Sequence, residues 1–211
     1  MKKCLKILLI LFLFLSCYFI YKFTDRKKIN YLAIGNDSSF NEYVINSLNT
    51  NIQYNDLYTD NDYRIVDLVN IIKYNEEKDV SIHYLLKKSD ILTIFIGMNE
   101  LYSNLNNDTK SIYNYLNDMV NDMNDLLMKI SEYDYDNVYV LGYYCIDKNK
   151  NDIFTYINYK IKVLTHKYGY NYVDLNGVID INDLIENNNY KLNEKGKDKI
   201  SKIILAYLKN Y

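Results

Sequence analysis

Proline and tryptophan are missing from this 211-residue chain, histidine occurs twice, cysteine three times and glycine six times. Two of the cysteines, Cys4 and Cys17, fall in an apolar N-terminal run, which leaves Cys145 alone in the remainder. That excludes an internal disulfide framework and a cysteine-ligated zinc site. His83 and His166 are the only imidazoles for general-base work. The few glycines form no phosphate-binding loop, and the Asp and Glu residues are scattered instead of meeting metal-ligand spacing, so neither a metal nor a cofactor is expected. The 25 tyrosines follow the codon drift of an AT-rich genome and carry little functional weight.

What is present begins with "CLKILLILFLFLSCYFIYKF", residues 4–23. It is close to the ~20 apolar residues that a bilayer-spanning helix needs, and Lys6 and Lys22 can snorkel at its ends. No small-x-small cleavage site follows, so an uncleaved N-terminal transmembrane anchor is expected. A lipidated Cys17 and a cleaved signal peptide are the alternatives. Basic residues flank both sides almost equally, so the positive-inside count is balanced. The short N-terminal tail favours a single-pass protein of the cell membrane with its domain on the outer side.

Seven basic residues against Asp25 give residues 1–28 a net charge of +6, and the remaining 18 basic and 26 acidic residues give −8. An acidic domain argues against a nucleic-acid partner. The membrane is the expected partner of residues 1–28, and residues 29–211 are expected to form one domain.

Within that domain short β-rich runs alternate with segments of helical period. The strands are read at 29–34, weakly near 52–58, at 90–96, 137–142 and 170–175. The third and fourth are nearly continuous in apolar residues, as strands covered on both faces are. Ile112, Tyr115, Met119, Met123, Leu126 and Ile130 recur at helical spacing, and so do Ile157, Ile161 and Leu164 ahead of Gly169 at a C′ position. This alternation predicts a three-layer αβα fold with a parallel five-stranded sheet. In such sheets ligands gather beyond the C-terminal strand ends, which directs attention to the loops after Ile34, Ile96, Gly142 and Leu175.

The first of these loops reads "AIGNDSSF", residues 33–40, and the second "FIGMNEL", residues 95–101. With "VYVLGYY", "YVDLNGVI" and "LNEKGKDKIS" following in order, the chain resembles the SGNH (GDSL-type) hydrolases over nearly all of residues 30–209. The resemblance implies a flavodoxin-like sheet and ester hydrolysis, with an acylated small molecule, glycan or lipid as ligand. In that family Gly-Asp-Ser supplies the nucleophile, Gly-x-Asn-Asp an oxyanion asparagine, and Asp-x-x-His ahead of the last helix the base.

Carried over residue by residue, the second block places Gly97 and Asn99, with Asn99 at the oxyanion position and Glu100 in place of aspartate. The first block departs: ungapped, Gly35-Asn36-Asp37 puts Asp37 at the nucleophile, and only one inserted residue restores Asp37-Ser38. Gly35, Asn36 and Asp37 are thus the binding candidates of this turn, and Ser38 the candidate nucleophile. Ser39-Phe40-Asn41-Glu42 also fits a capping box, so the cluster is equally able to start a helix over 40–49. In the last block Asn188 and Lys191 stand at the aspartate and histidine positions, and no histidine follows His166. Lys191 is the remaining candidate base, read against a solvated lysine ahead of a helix capped at Asn193. His83 reads as an exposed helix residue, and His166 as one in the last turn of a helix over 152–168. The expected protein is a membrane-anchored, hydrolase-like domain that has lost serine hydrolysis and binds a ligand or scaffolds, with an atypical esterase as the alternative.

Overall fold

The computed structural model describes residue 16 and residues 29–35, 40–48, 52–57, 63–74, 80–133, 135–186 and 190–208. Its elements, in chain order, are β1 (Ile29–Ile34), α1 (Phe40–Ser47), β2 (Ile52–Leu57), α2 (Ile65–Tyr74), α3 (Val80–Lys88), β3 (Ile91–Ile94) and α4 (Met98–Asn104). They continue with α5 (Thr109–Ser131), β4 (Val138–Leu141), α6 (Asn151–Lys167), β5 (Asn171–Val173) and α7 (Glu194–Leu208), with 3₁₀ turns at Lys148–Lys150 and Ile181–Asp183.

The five strands form one sheet in the order β2-β1-β3-β4-β5, and every pairing is parallel. All four residues of β3 and of β4 are buried, because helices cover both sheet faces. Helix α1 packs against α7, while α2 packs against α5 and α5 against α6. Helix α5 buries Ile112, Leu116, Met119, Met123, Leu126, Leu127 and Ile130, the stripe its 3.6-residue period sets out. Asp108 caps it by accepting from the amides of Lys110 and Ser111, each at 3.1 Å. Gly169 follows α6 with φ 75°, a left-handed turn that suits a residue without a side chain.

The sheet is shorter than the apolar runs predict. β3 ends at Ile94, although residues 95 and 96 are as buried as the strand itself. The chain leaves the sheet there because Gly97 takes φ 97° and opens α4. Helix α1 is entered through a buried polar contact that the pattern did not foreshadow: Tyr31 donates to Asn41 Oδ1 at 2.6 Å, tying α1 to β1. Both residues are almost wholly inaccessible, so the bond satisfies polar atoms that water cannot reach.

Among the described residues no helix is long and apolar enough to cross a membrane. The apolar segment 4–23 lies outside them apart from Ser16.

Candidate functional site

Two glycines shape the C-terminal edge of the sheet. Gly35 ends β1 with φ 113°, and a Cβ there would stand 2.1 Å from the Phe95 carbonyl oxygen. No other residue fits, since both the backbone conformation and the approach to β3 forbid a side chain. Gly97 repeats the device one strand over, where a Cβ would lie 2.5 Å from the Tyr143 hydroxyl. That hydroxyl donates to the Ile96 carbonyl at 2.7 Å, so the loop after β4 holds the loop after β3. Tyr143 is in turn clamped by Asn158 of α6, whose amide side chain exchanges two 2.7 Å hydrogen bonds with the Tyr143 backbone.

Asn99, in the first turn of α4, is thereby presented beyond the strand ends. Its Oδ1 accepts from the Tyr190 hydroxyl at 2.8 Å. The Tyr190 carbonyl accepts from the Tyr144 hydroxyl, and the Tyr190 ring lies 5.4 Å from that of Tyr102. Tyr144 stacks on Phe95 at 6.2 Å, and Phe95 meets Phe40 edge-on at 5.9 Å. Rings from α1, the loop after β3, α4, the loop after β4 and the segment before α7 therefore meet at one sheet edge.

The segment before α7 is held by its backbone. Leu184 and Leu192 form an antiparallel bridge, Ile185 donates to the Lys191 carbonyl at 2.9 Å, and Asn193 donates to the Asp183 carbonyl at 2.9 Å. Asn193 caps α7 as expected, its Oδ1 accepting from the amides of Lys195 and Gly196. Beneath it Asp183 is fully buried, paired with Lys199 and with Lys195 at 3.1 Å. Burial pushes its carboxyl upward, but the hydrogen bonds from Lys199, the Asp180 amide and Lys195 prevail and bring it to about 2.

Glu100, next to Asn99, is engaged by two neighbouring helices. Its Oε1 accepts from the Ile65 amide at 3.3 Å and its Oε2 from the Tyr115 hydroxyl at 3.1 Å, joining α4 to α2 and α5. Burial raises its carboxyl to about 7 against the lowering effect of those two bonds. Beside the Tyr102 ring opens a cavity of about 390 Å³, walled further by Leu105, Ile146 and Leu184.

Of the residues singled out in the sequence, Gly35, Gly97 and Asn99 share one edge with the segment that contains Lys191. It is Tyr190, the residue before Lys191, that reaches Asn99. Ser38, Asn36 and Asp37, and with them the Ser39 end of the capping box, lie outside the described residues, as does Asn188. His83 is not an exposed helix residue: it is half-buried on α3, and its Nδ1 bonds the Tyr133 hydroxyl. His166 is exposed in the last turn of α6, which leads into the start of β5 at the opposite end of the sheet from Asn99. Tyr190 and Glu100 were not read as site residues. Tyr190 is the one aromatic in the polar run before α7, a signal lost among so many tyrosines.

No protein-family model matches the sequence, and comparison with curated proteins gives no match. Solved structures do match. The acetylxylan esterase from Geobacillus stearothermophilus superposes with a TM-score of 0.60 at 14% identity, over 85% of this chain and 92% of the esterase. A catalytic mutant of the same esterase, with a histidine replaced by alanine, gives 0.64 at 14% identity, over 84% and 93%. An alpha/beta hydrolase enzyme from the metagenome of Lake Arreo, Spain, gives 0.62 at 14% identity, over 84% and 94%. At such identities the likeness is one of architecture alone: the chain shares the αβα fold of these esterase and hydrolase structures.

Proposed function

We propose that this chain is a membrane-anchored protein of hydrolase-like fold that binds a ligand at the Asn99 edge without serine-hydrolase turnover. The observation that carries the reading is the Tyr190 hydroxyl on Asn99 Oδ1. A phenol bonded to the oxyanion asparagine comes from the segment where the family likeness expects the base. A phenol whose O–H is donated to Asn99 does not offer the imidazole-type base that a serine nucleophile needs. His83 is engaged by Tyr133, and His166 stands at the far end of the sheet, so neither supports a serine–histidine pair here.

The bond fits a binding role. Held in place by Tyr190, Asn99 brings a side chain with both an acceptor and a donor group to this edge, chemistry suited to a carbonyl or hydroxyl on a ligand. The ester-hydrolase neighbours support an acylated ligand for the same edge. The apolar segment 4–23 supports attachment to the membrane, with the domain on its outer side.

The test is chemical. The full chain, in a non-ionic detergent, is expected to give no fluorophosphonate adduct and no saturable hydrolysis of short-chain esters, since general-base assistance alone is typically worth ~10²–10⁴ in rate. Turnover abolished by Ser38→Ala and by Asn99→Ala would replace this reading with an esterase that uses Ser38 and Lys191.

A further inference from the structure

The cavity beside Tyr102 has a mixed lining that selects among ligand chemistries. One wall is apolar, made by Leu105, Ile146 and Leu184, with Ile181 at the mouth 66% exposed. The opposite chemistry comes from Asn106, Asp147 and Lys150. Lys150 Nζ donates to the Leu105 carbonyl at 2.6 Å, and Asp147 Oδ1 accepts from the Asn149 amide at 2.9 Å. Each polar group is therefore fixed by one partner and retains further hydrogen-bonding capacity: two N–H on the ammonium, and the remaining lone pairs of the carboxylate.

A carboxylate and an ammonium in one pocket disfavour a strongly charged ligand of either sign. A saturated acyl chain would strip water from Asp147 and Lys150 without replacing its hydrogen bonds, which is costly for charged groups. A ligand with hydroxyls around its rim and C–H groups on its face replaces that water and covers the apolar wall. The volume, about 390 Å³, falls at the small end of the ~300–1,000 Å³ of ligand pockets.

We infer that this cavity is a saccharide-binding subsite, taking an uncharged sugar with its ring face on Ile146 and Leu184 and its hydroxyls on Asn106, Asp147 and Lys150. The inference rests on the reading of the Asn99 edge as a ligand site, of which it names the ligand class. Tyr102 joins the two places, since it lines the cavity and its ring packs on Tyr190, the partner of Asn99.

The experiment titrates the full chain, in a polyoxyethylene detergent that carries no sugar headgroup, with xylobiose, cellobiose and chitobiose by ligand-observed NMR, with decanoate as the acyl probe. At least one disaccharide is expected to bind saturably and decanoate is not. Asn106→Ala removes a rim hydrogen bond, and Ile181→Arg places a long charged side chain across the mouth. Both positions are exposed, so the fold is retained, and each variant is expected to weaken binding at least tenfold. His166→Ala, exposed at the opposite end of the sheet, is expected to leave it within twofold. Absence of binding by all three sugars overturns the inference, and so does decanoate binding that Ile181→Arg abolishes. Sugar binding lost in Asn99→Ala but kept in the two cavity variants moves the ligand to the asparagine edge, which refutes the subsite and leaves the proposed function standing. Fluorophosphonate labelling has the converse effect, refuting the loss of hydrolysis without touching the sugar titration.

Discussion

The Tyr190 hydroxyl donates to Asn99 Oδ1 at 2.8 Å, across 91 positions of the chain, and fixes both the orientation of the amide and the path of the segment before α7. Removing that hydroxyl tests its weight. Tyr190→Phe keeps the ring against Tyr102 and loses one part-buried hydrogen bond. Thermal or urea unfolding is expected to show a loss of about 1 kcal/mol. The Asn99 side-chain amide resonances are expected to shift in the same variant.

Glu100 makes stability fall as pH rises through neutrality. Its carboxyl is raised to about 7 in the folded chain from an ordinary 4.5, so the folded state holds a proton that the unfolded chain has released. Folded protein is thus favoured below 4.5, and the advantage is lost as pH rises through 7. Above that the charged carboxylate costs about 2 kcal/mol, a figure held below full linkage because the side chain keeps some contact with solvent. Glu100→Gln can still accept from Ile65 and donate to Tyr115. Denaturant titrations at pH 5 and pH 8 are expected to show it gaining on the parent only at the higher pH.

Asp183 carries the opposite sign. Its carboxyl is held at about 2, below an ordinary 3.8, so its contribution is complete above that ordinary value and is lost as pH falls toward 2. Asp183→Asn keeps an oxygen for the Asp180 amide and loses the charge between Lys195 and Lys199. Those lysines keep contact with solvent, so the expected loss at pH 7 is about 2 kcal/mol, short of what stranding a buried charge costs. The difference from the parent should shrink between pH 4 and pH 2.

The glycines separate two kinds of constraint. Gly35→Ala meets both a φ of 113° and a carbonyl oxygen at 2.1 Å, whereas at Gly177 the φ is 73° and no atom lies within 4 Å of the added carbon. Gly177→Ala is expected to cost about 1 kcal/mol in conformational strain alone. Gly35→Ala is expected to cost several times that, or to leave the protein insoluble, because the second obstacle is backbone that cannot rotate away. Comparative unfolding midpoints decide the order.

Attachment to the membrane is tested on the full chain. It is expected to float with liposomes, and Cys17→Ala is expected to remain with them if residues 4–23 span the bilayer. Release of that variant into the soluble fraction would point to a lipid anchor instead.

The sheet was largely legible because β3, β4 and α5 carry their burial in their own periodicity: four consecutive buried residues in each strand, and an apolar stripe along the helix. Strand lengths were less legible, since burial runs on through Phe95 and Ile96 after the ladder has ended, and composition does not register the positive φ of Gly97. The position of Asn99 just beyond β3 could be read from the local spacing of Gly97, Met98 and Asn99. Tyr190 could not, for its role depends on a contact between segments far apart in the chain. Glu100 reads in sequence as a conservative replacement of aspartate, and only the desolvation around it raises its carboxyl. His83 was misread because its partner Tyr133 is 50 residues away.

Because the chain has no tryptophan, its ultraviolet signature belongs to tyrosine and phenylalanine. Phe40, Phe95, Tyr144, Tyr190 and Tyr102 form a connected run of rings that reaches Asn99 through Tyr190, and immobilised rings in an asymmetric setting give the strongest near-ultraviolet circular dichroism. The site therefore comes with a native optical probe. If the proposed ligand displaces Tyr190, the near-ultraviolet tyrosine band is expected to change without any label, at a place where a conventional indole reporter would have had to be engineered.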